Sequence, residues 1–314
     1  MNRYRIYGLV VETEVDFIQL ERAGDDEGSL ENTVFVREDK CADEVIEAIT
    51  KADALKEQYY ITSDCSYFFN KGGYYIIRDG REIIFETKEG YTPQTVSPWL
   101  LGYSMAMLLF ERQTIAIHCS AVCGENGAFL ISGEIGAGKS SLTRKMLEKG
   151  YKIMADDVAA IRLEESMDDG KESVYVYPAF PYQKLCRNEV ENRNFNMNEL
   201  IYIDETKDKF LVPVKDRFVA SPQKLDFLIF LVVARNIEDV VVQKMTGLSQ
   251  LLAIRQNVFL HRLKGDWENG KEFSELCLKV ASHCPVYMIA RPVEGNSQDK
   301  ISEIVDKIYR GEEV

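Results

Sequence analysis

Positions 127–142 constrain this chain more than any others: they read GAFLISGEIGAGKSSL and contain Gly133-x-x-x-x-Gly138-Lys139-Ser140. Phe129–Ile131 is a short apolar run suited to a buried strand. Helix-forming residues extend from Ser140 to Lys149, and Gly150 stands where a helix stops. Strand, glycine loop and helix follow in the order that phosphate binding needs. Glycines let successive backbone N–H groups turn toward a phosphate with no Cβ in the way, and the helix N-terminus adds a favourable dipole. The expected nucleotide-contacting residues are therefore Gly133, Glu134, Ile135, Gly136, Ala137, Gly138, Lys139, Ser140 and Ser141. In such a loop Lys139 reaches the β- and γ-phosphates and the Ser140 hydroxyl ligates Mg²⁺. The competing reading is an ordinary Gly-rich turn between a strand and a helix.

The rest of the chain sets the context. Its 314 residues suffice for one large domain or two modest ones. A composition of 46% hydrophobic and 28% charged residues belongs to soluble globular proteins. No apolar stretch has the length of a membrane span, and the opening MNRYRIYG lacks the apolar run of a secretory signal, so no membrane partner is expected. Seven cysteines at scattered positions form no regular disulfide framework or zinc spacing, which fits a reducing cytoplasm; Cys119 and Cys123 read as small buried side chains. A net charge of −13 argues against nucleic acid as the main partner.

Two regions follow from the pattern. Residues 1–95 look β-rich: Arg3–Glu14, Thr33–Arg37 and Gln58–Thr62 are β-branched and aromatic runs, and Tyr67–Glu86 carries Gly72-Gly73 and Asp79-Gly80 between apolar segments, a hairpin signal. One helix is predicted from Ala42 to about Leu55, and a strongly apolar one from Pro98 to about Phe110. Residues 96–314 read as the nucleotide-binding domain. Ile115–His118 and Cys119–Val122 form a strand, and Gly124–Gly127 turns into the strand before the loop. Further strands are predicted at Tyr151–Ala155, Val174–Tyr177, Phe210–Val214, Lys224–Val233, Val240–Met245 and Val286–Ala290, with helices at Gly247–Phe259 and Gln298–Arg310.

Asp156-Asp157 ends the strand after the loop helix. One helix and a return to a neighbouring strand would bring both carboxylates to a strand C-terminus beside the phosphates. Alternation sends adjacent side chains to opposite faces, so one acid can hold Mg²⁺ while the other accepts or orients an attacking hydroxyl's proton. A polar cap that ends a strand is the alternative. His118, on the strand before the loop strand, either reaches an aspartate at the edge of the site or is structural.

These segments together, His118-Cys-Ser-Ala-Val122, GAFLISGEIGAGKSS and RKMLEKGYKIMADDV ending at Val158, resemble the core of the HPr kinase/phosphorylase family over residues 114–160. The resemblance is looser at Pro178–Leu185 and Asp208–Val214. It implies an α/β fold with a P-loop kinase core of the HPr kinase/PEP carboxykinase type, a twisted mixed sheet, behind a β-rich N-terminal region. It also implies ATP and Mg²⁺ as cofactors, phosphate binding by Lys139, Mg²⁺ binding by Ser140 and Asp157, and Asp156 as the base next to His118. Lys184, Arg187 and Lys209 become candidate cations for the γ-phosphate or substrate; the alternative is solvated surface charge. Similar proteins accompany peptide-modifying enzymes, and some phosphorylate a serine of a ribosomally made peptide. The family has Glu directly after the loop serine where this chain has Ser141. Its later substrate segment is not recognisable here, and the N-terminal part differs.

Two function classes follow. One is a kinase moving the γ-phosphoryl to a hydroxyl, Ser above all, of a peptide, small protein or small metabolite. The other is a nucleotide-binding regulatory or scaffold protein without phosphotransfer. The sequence leaves the acceptor and the oligomeric state open.

Overall fold

The run Arg3–Glu14 folds back on itself as two antiparallel strands, Asn2–Ile6 and Leu9–Thr13. Between them Tyr7 and Gly8 take φ of 55° and 73°, the pair of positive angles that a tight two-residue hairpin needs. Asp79 and Gly80 (φ 53° and 57°) repeat the device between Gly73–Arg78 and Glu82–Thr87. The computed structural model describes residues 1–313 apart from 135, 166–169, 194, 205–207, 262 and 264–269. The chain is mixed α/β and divides into two units. The first is Met1–Ala116 with Lys184–Val212 and Phe259–Ser274; the second is Ile117–Gln183 with Pro213–Val258 and Glu275–Val314. Ile135, expected in the nucleotide loop, lies outside the described residues.

In the first unit an eight-stranded mixed sheet runs in the order Glu21–Arg22, Asn2–Ile6, Leu9–Thr13, Thr33–Glu38, Glu82–Thr87, Gly73–Arg78, Cys65–Phe69, Tyr59–Ile61. The helix Ala42–Lys51 lies on it, burying Val45 and Ile49 against Ile76 and Ile84. It stops four residues short of the expected Leu55, because Asp53 turns to a positive φ of 55° and ends the α ladder. The helix expected from Pro98 starts earlier, at Pro93. The Thr92 hydroxyl accepts the Thr95 N–H, and Pro93 occupies the first position, where no N–H is needed. Pro98 thus sits inside the helix. Lacking an N–H, it interrupts the ladder, and a π turn over Leu100–Ser104 follows before the helix resumes as Met105–Glu111. Residues 184–212 add the helix Arg187–Asn192 and most of a three-stranded sheet around Leu185, Val190, Phe210 and Val212.

In the second unit, Cys119–Cys123 and Ala128–Gly133 pair as a hairpin through the Gly124–Gly127 turn, with the Gly124 N–H on the Gly127 carbonyl at 2.9 Å. The sheet places Lys152–Ala155 at one edge, then Cys119–Cys123, Ala128–Gly133 and the long strand Gln223–Ala234. That last strand runs parallel both to Ala128–Gly133 and, on its other side, to Val286–Pro292, which pairs antiparallel with Val241–Met245. Its first residues also pair antiparallel with Glu172–Tyr177, next to Ala159–Glu165.

The helices Lys139–Glu148 and Gln298–Tyr309 cover this sheet with Leu142, Met146, Ile301, Val305 and Ile308. Beneath them lie Phe129, Ile131, Phe227, Ile229, Leu231 and Ile289, with Phe129 and Phe227 stacked at 5.1 Å. The helix Leu248–Asn257 falls within its expected bounds. The helix Lys271–His283 and the strand Ala159–Glu165 were not visible in the sequence pattern. Among the described residues no helix is long and apolar enough to cross a membrane.

Candidate functional site

The glycine loop connects the fully buried strand Ala128–Gly133 to the helix Lys139–Glu148, as the sequence pattern requires. Two of its glycines cannot be replaced without rearrangement. Gly133 has φ 143°, and a Cβ there would come within 2.4 Å of the Leu231 carbonyl oxygen on the neighbouring strand. Gly138, at φ 106°, precedes the helix, and its Cβ would meet Gln298 Nε2 at 2.5 Å. Because Gly138 offers no side chain, no side-chain cap closes the helix N-terminus, and its first-turn amides keep their capacity for an anion. Glu134 and Gly136 are exposed, Ala137 is buried in the core, and Ser140 and Ser141 are half-buried in the first turn. Lys139 curls over the loop, its Nζ donating to the Gly133 carbonyl at 2.6 Å. The ammonium thus lies against the same backbone that would surround a phosphate.

Strand order brings the aspartates to this end of the sheet. Cys119–Cys123 runs antiparallel to both Ala128–Gly133 and Lys152–Ala155, so the ends of those two strands and the start of the first share one edge. The aspartate strand was expected next to the loop strand. The hairpin partner Cys119–Cys123 occupies that place instead, one strand separating the two.

Asp156 is buried and accepts the Ser120 hydroxyl at 2.6 Å. Asp157 follows at φ 83°, a left-handed conformation that costs a non-glycine residue about 1–2 kcal/mol and is concentrated at functional sites. His118 Nδ1 donates to the Asp157 carbonyl at 3.0 Å and lies 3.7 Å from its carboxylate. A carbonyl oxygen only accepts, so Nδ1 carries a proton. The family resemblance implies Asp156 as the base next to His118; the structure brings His118 onto the carbonyl and carboxylate of Asp157, the next residue in the chain.

Burial, and next to it the Asp156 charge, push the Cys119 thiol far above its ordinary range; the Lys139 ammonium acts in the opposite sense and Asp157 in the same. The loop cation and both aspartates therefore act on one point at the start of this strand, where the thiol itself is inert.

Other residues of the site gave no sequence signal. His118 is held at both its backbone groups: its N–H donates to the Asn257 carbonyl at 2.8 Å, and its carbonyl accepts the Ser132 hydroxyl at 2.7 Å. Ser132 also bonds the Asn257 side chain, whose Nδ2 donates to Ala253. The detour of the His118 amide to Asn257 explains why the expected continuous strand breaks at this residue. Arg291, at the end of Val286–Pro292, donates from Nε to the Ala137 carbonyl (3.0 Å) and from Nη2 to the Gly136 carbonyl (2.9 Å). Gln298, the first residue of its helix, fills the space beside Gly138, and its Oε1 is buried with no hydrogen-bond partner among the described residues. Asn257, Arg291 and Gln298 are distant in sequence from the motif and match no spacing rule, and nothing in the His118–Val122 segment marks Ser120 as the partner of Asp156, so only the fold reveals these contacts.

Lys184, Arg187 and Lys209 belong to the first unit. Arg187 is ion-paired with Asp208 and lies over the Phe210 ring at 5.1 Å. The pair holds the Asp208 carboxyl below its ordinary range.

No family model and no curated protein matches this chain. Among solved structures, the Hpr(Ser) kinase/phosphatase from Coxiella burnetii is similar at 14% identity and a TM-score of 0.33, over 62% of this chain and 97% of that one. The relationship is distant.

Proposed function

We propose that the chain is an ATP- and Mg²⁺-dependent kinase that moves a γ-phosphoryl group to a hydroxyl of a peptide, small protein or small metabolite. One observation carries the reading. A glycine loop with an uncapped helix N-terminus and Lys139 folded across it shares a sheet edge with Asp156, Asp157 and His118. In phosphoryl transfer the protein's work is positioning and charge stabilisation, and this set of groups supplies both.

The loop amides and Lys139 would bind the phosphate oxygens. The residues present also suit Mg²⁺: the Ser140 hydroxyl and the buried, Ser120-oriented Asp156 carboxylate are hard oxygen donors of the kind it takes, with its other positions left to water and phosphate. Bound there, the ion would neutralise phosphate charge. The acceptor oxygen attacks the γ-phosphorus, the bond to the bridging oxygen breaks, and ADP leaves with that electron pair. We assign the departing hydroxyl proton to Asp157 and its neighbour His118. Asp157 is less buried than Asp156, and its carboxylate lies 3.7 Å from His118 Nδ1. This exchanges the two aspartate roles implied by the resemblance. Asp156→Asn is expected to raise the Mg²⁺ concentration needed for half-maximal rate, and Asp157→Asn to lower the rate at saturating Mg²⁺. The reverse pattern returns the base to Asp156.

The experiment is incubation of the purified chain with γ-labelled ATP, Mg²⁺ and a panel of serine-containing peptides and small proteins. Label should pass to an acceptor and be lost in Lys139→Ala; transfer that survives both Lys139→Ala and Asp156→Asn removes the proposal. Ser141, in the place where the resembled family carries an acid, favours a second reading: a nucleotide-binding regulatory protein. That reading expects ATP to raise the melting temperature with no transfer to any acceptor.

A further inference from the structure

We propose that Arg291 is a positioning residue that sets the glycine loop in its phosphate-receptive shape before any nucleotide arrives; the inference rests on the nucleotide reading above. Arg291 comes from a different strand, beyond Gln223–Ala234, and reaches back to the loop with two arms of its guanidinium, one on the Gly136 carbonyl and one on the Ala137 carbonyl. A third arm is fixed on the Pro292 carbonyl at 3.0 Å, so the planar fork is itself held in place. Each trans peptide unit is planar, with its C=O and N–H on opposite sides. A carbonyl drawn toward Arg291 therefore turns the following amide away from it. For Gly136 that amide is Ala137's, which donates to the Glu134 carbonyl at 3.1 Å and closes the turn of the loop. For Ala137 it is Gly138's, the amide that opens the helix N-terminus.

Gln298 adds a steric stop against Gly138, 2.5 Å from where a Cβ would stand. The loop is thus gripped at Gly136, Ala137 and Gly138 by residues of the last strand and last helix. Its glycines make it permissive; Arg291 removes that freedom in advance, so less ordering is left for the ligand to accomplish. A lysine cannot reproduce this contact, since an ammonium has no rigid fork to span two carbonyls.

Two measurements on the full chain test the latch. First, hydrogen–deuterium exchange of the nucleotide-free protein: Arg291→Ala should accelerate exchange in peptides spanning residues 133–142 and leave the strands of both units unchanged. Second, calorimetric titration with MgATP: Arg291→Ala and Arg291→Lys should each bind about 10- to 100-fold more weakly than the parent, the loss expected for charge-assisted hydrogen bonds that organise the site. A merely structural arginine would lower the melting temperature without a local change in loop exchange.

If the parent protein binds MgATP and both variants bind it equally well, or if loop exchange is unaltered in Arg291→Ala, the latch is wrong while nucleotide binding stands. A parent protein that binds no MgATP overturns both. Should Arg291→Ala fail to fold, Arg291→Lys decides both measurements in the same way.

Discussion

The two ends of the sheet in the second unit are built from the same strands and do opposite things with them. At one end the chain leaves Ala128–Gly133 through left-handed glycines, and the polar groups there are charged or aimed at backbone: Lys139 on the Gly133 carbonyl, Asp156 on Ser120, Asp157 on His118. At the other end the Gly124–Gly127 turn is packed by aromatic rings. The Asn126 N–H donates to the Tyr309 hydroxyl at 2.6 Å, Tyr151 donates to Asp306 at 2.7 Å, and the two tyrosine rings meet edge to face at 5.1 Å. A cleft of about 650 Å³ opens there, lined by Tyr151, Tyr309, Lys149, Lys152 and Arg310 among others, and no residue of the glycine loop belongs to it. Backbone amides, the Lys139 ammonium and paired acids gather at the other end.

Substitutions at the two ends should separate accordingly. The largest effect is expected for Lys139→Ala, about a 100-fold loss of MgATP affinity by calorimetry with the melting temperature nearly unchanged. A loss of fold with no separate loss of affinity would put Lys139 in the scaffold and erase the contrast. Gly133→Ala should follow, destabilising the unit by about 2–4 kcal/mol in denaturant titration, because its Cβ is driven into the Leu231 carbonyl and its φ is strained.

Asp226 marks the aromatic end: burial pushes its carboxyl up to about 6. The folded state therefore holds that proton more tightly than the unfolded chain does. The corresponding stability is complete below pH about 4 and is lost as pH rises through about 6, a decline of about 2 kcal/mol that Asp226→Asn should flatten. A midpoint that rises over this interval in the parent, relative to the variant, would contradict the assignment. The smallest effect is expected for Tyr309→Phe, about 1 kcal/mol from leaving the Asn126 N–H without its hydroxyl partner, with MgATP affinity unaltered. An affinity change there would show that the two ends are coupled.

Much of this was legible in the sequence where local chemistry dictates local structure. The strand, glycine loop and helix at 128–148, the Asp79-Gly80 hairpin and the closing helix all lie within a few residues of their expected positions, because turn glycines and periodic apolar residues act over short range. The π turn at Leu100–Ser104 was hidden because Pro98 looked like a helix start, when the capping signal was Thr92-Pro93 upstream. The strand Ala159–Glu165 was hidden by Asp156-Asp157, which reads as an ending although the chain resumes a strand two residues later.

In the candidate site the motif residues were readable, but their neighbours were not. His118 meets the backbone of Asp157, whose left-handed φ nothing in an Asp-Asp-Val string announces. Arg291 stands 155 positions from Gly136, and only the parallel pairing through Gln223–Ala234 brings them together.

The most direct measurement is calorimetric titration of the full chain with MgATP. The account predicts saturable binding with a Kd between about 1 μM and 1 mM, the range in which enzymes commonly hold such substrates, abolished or strongly weakened by Lys139→Ala. Absence of heat at millimolar MgATP, or equal binding by Lys139→Ala, would contradict it.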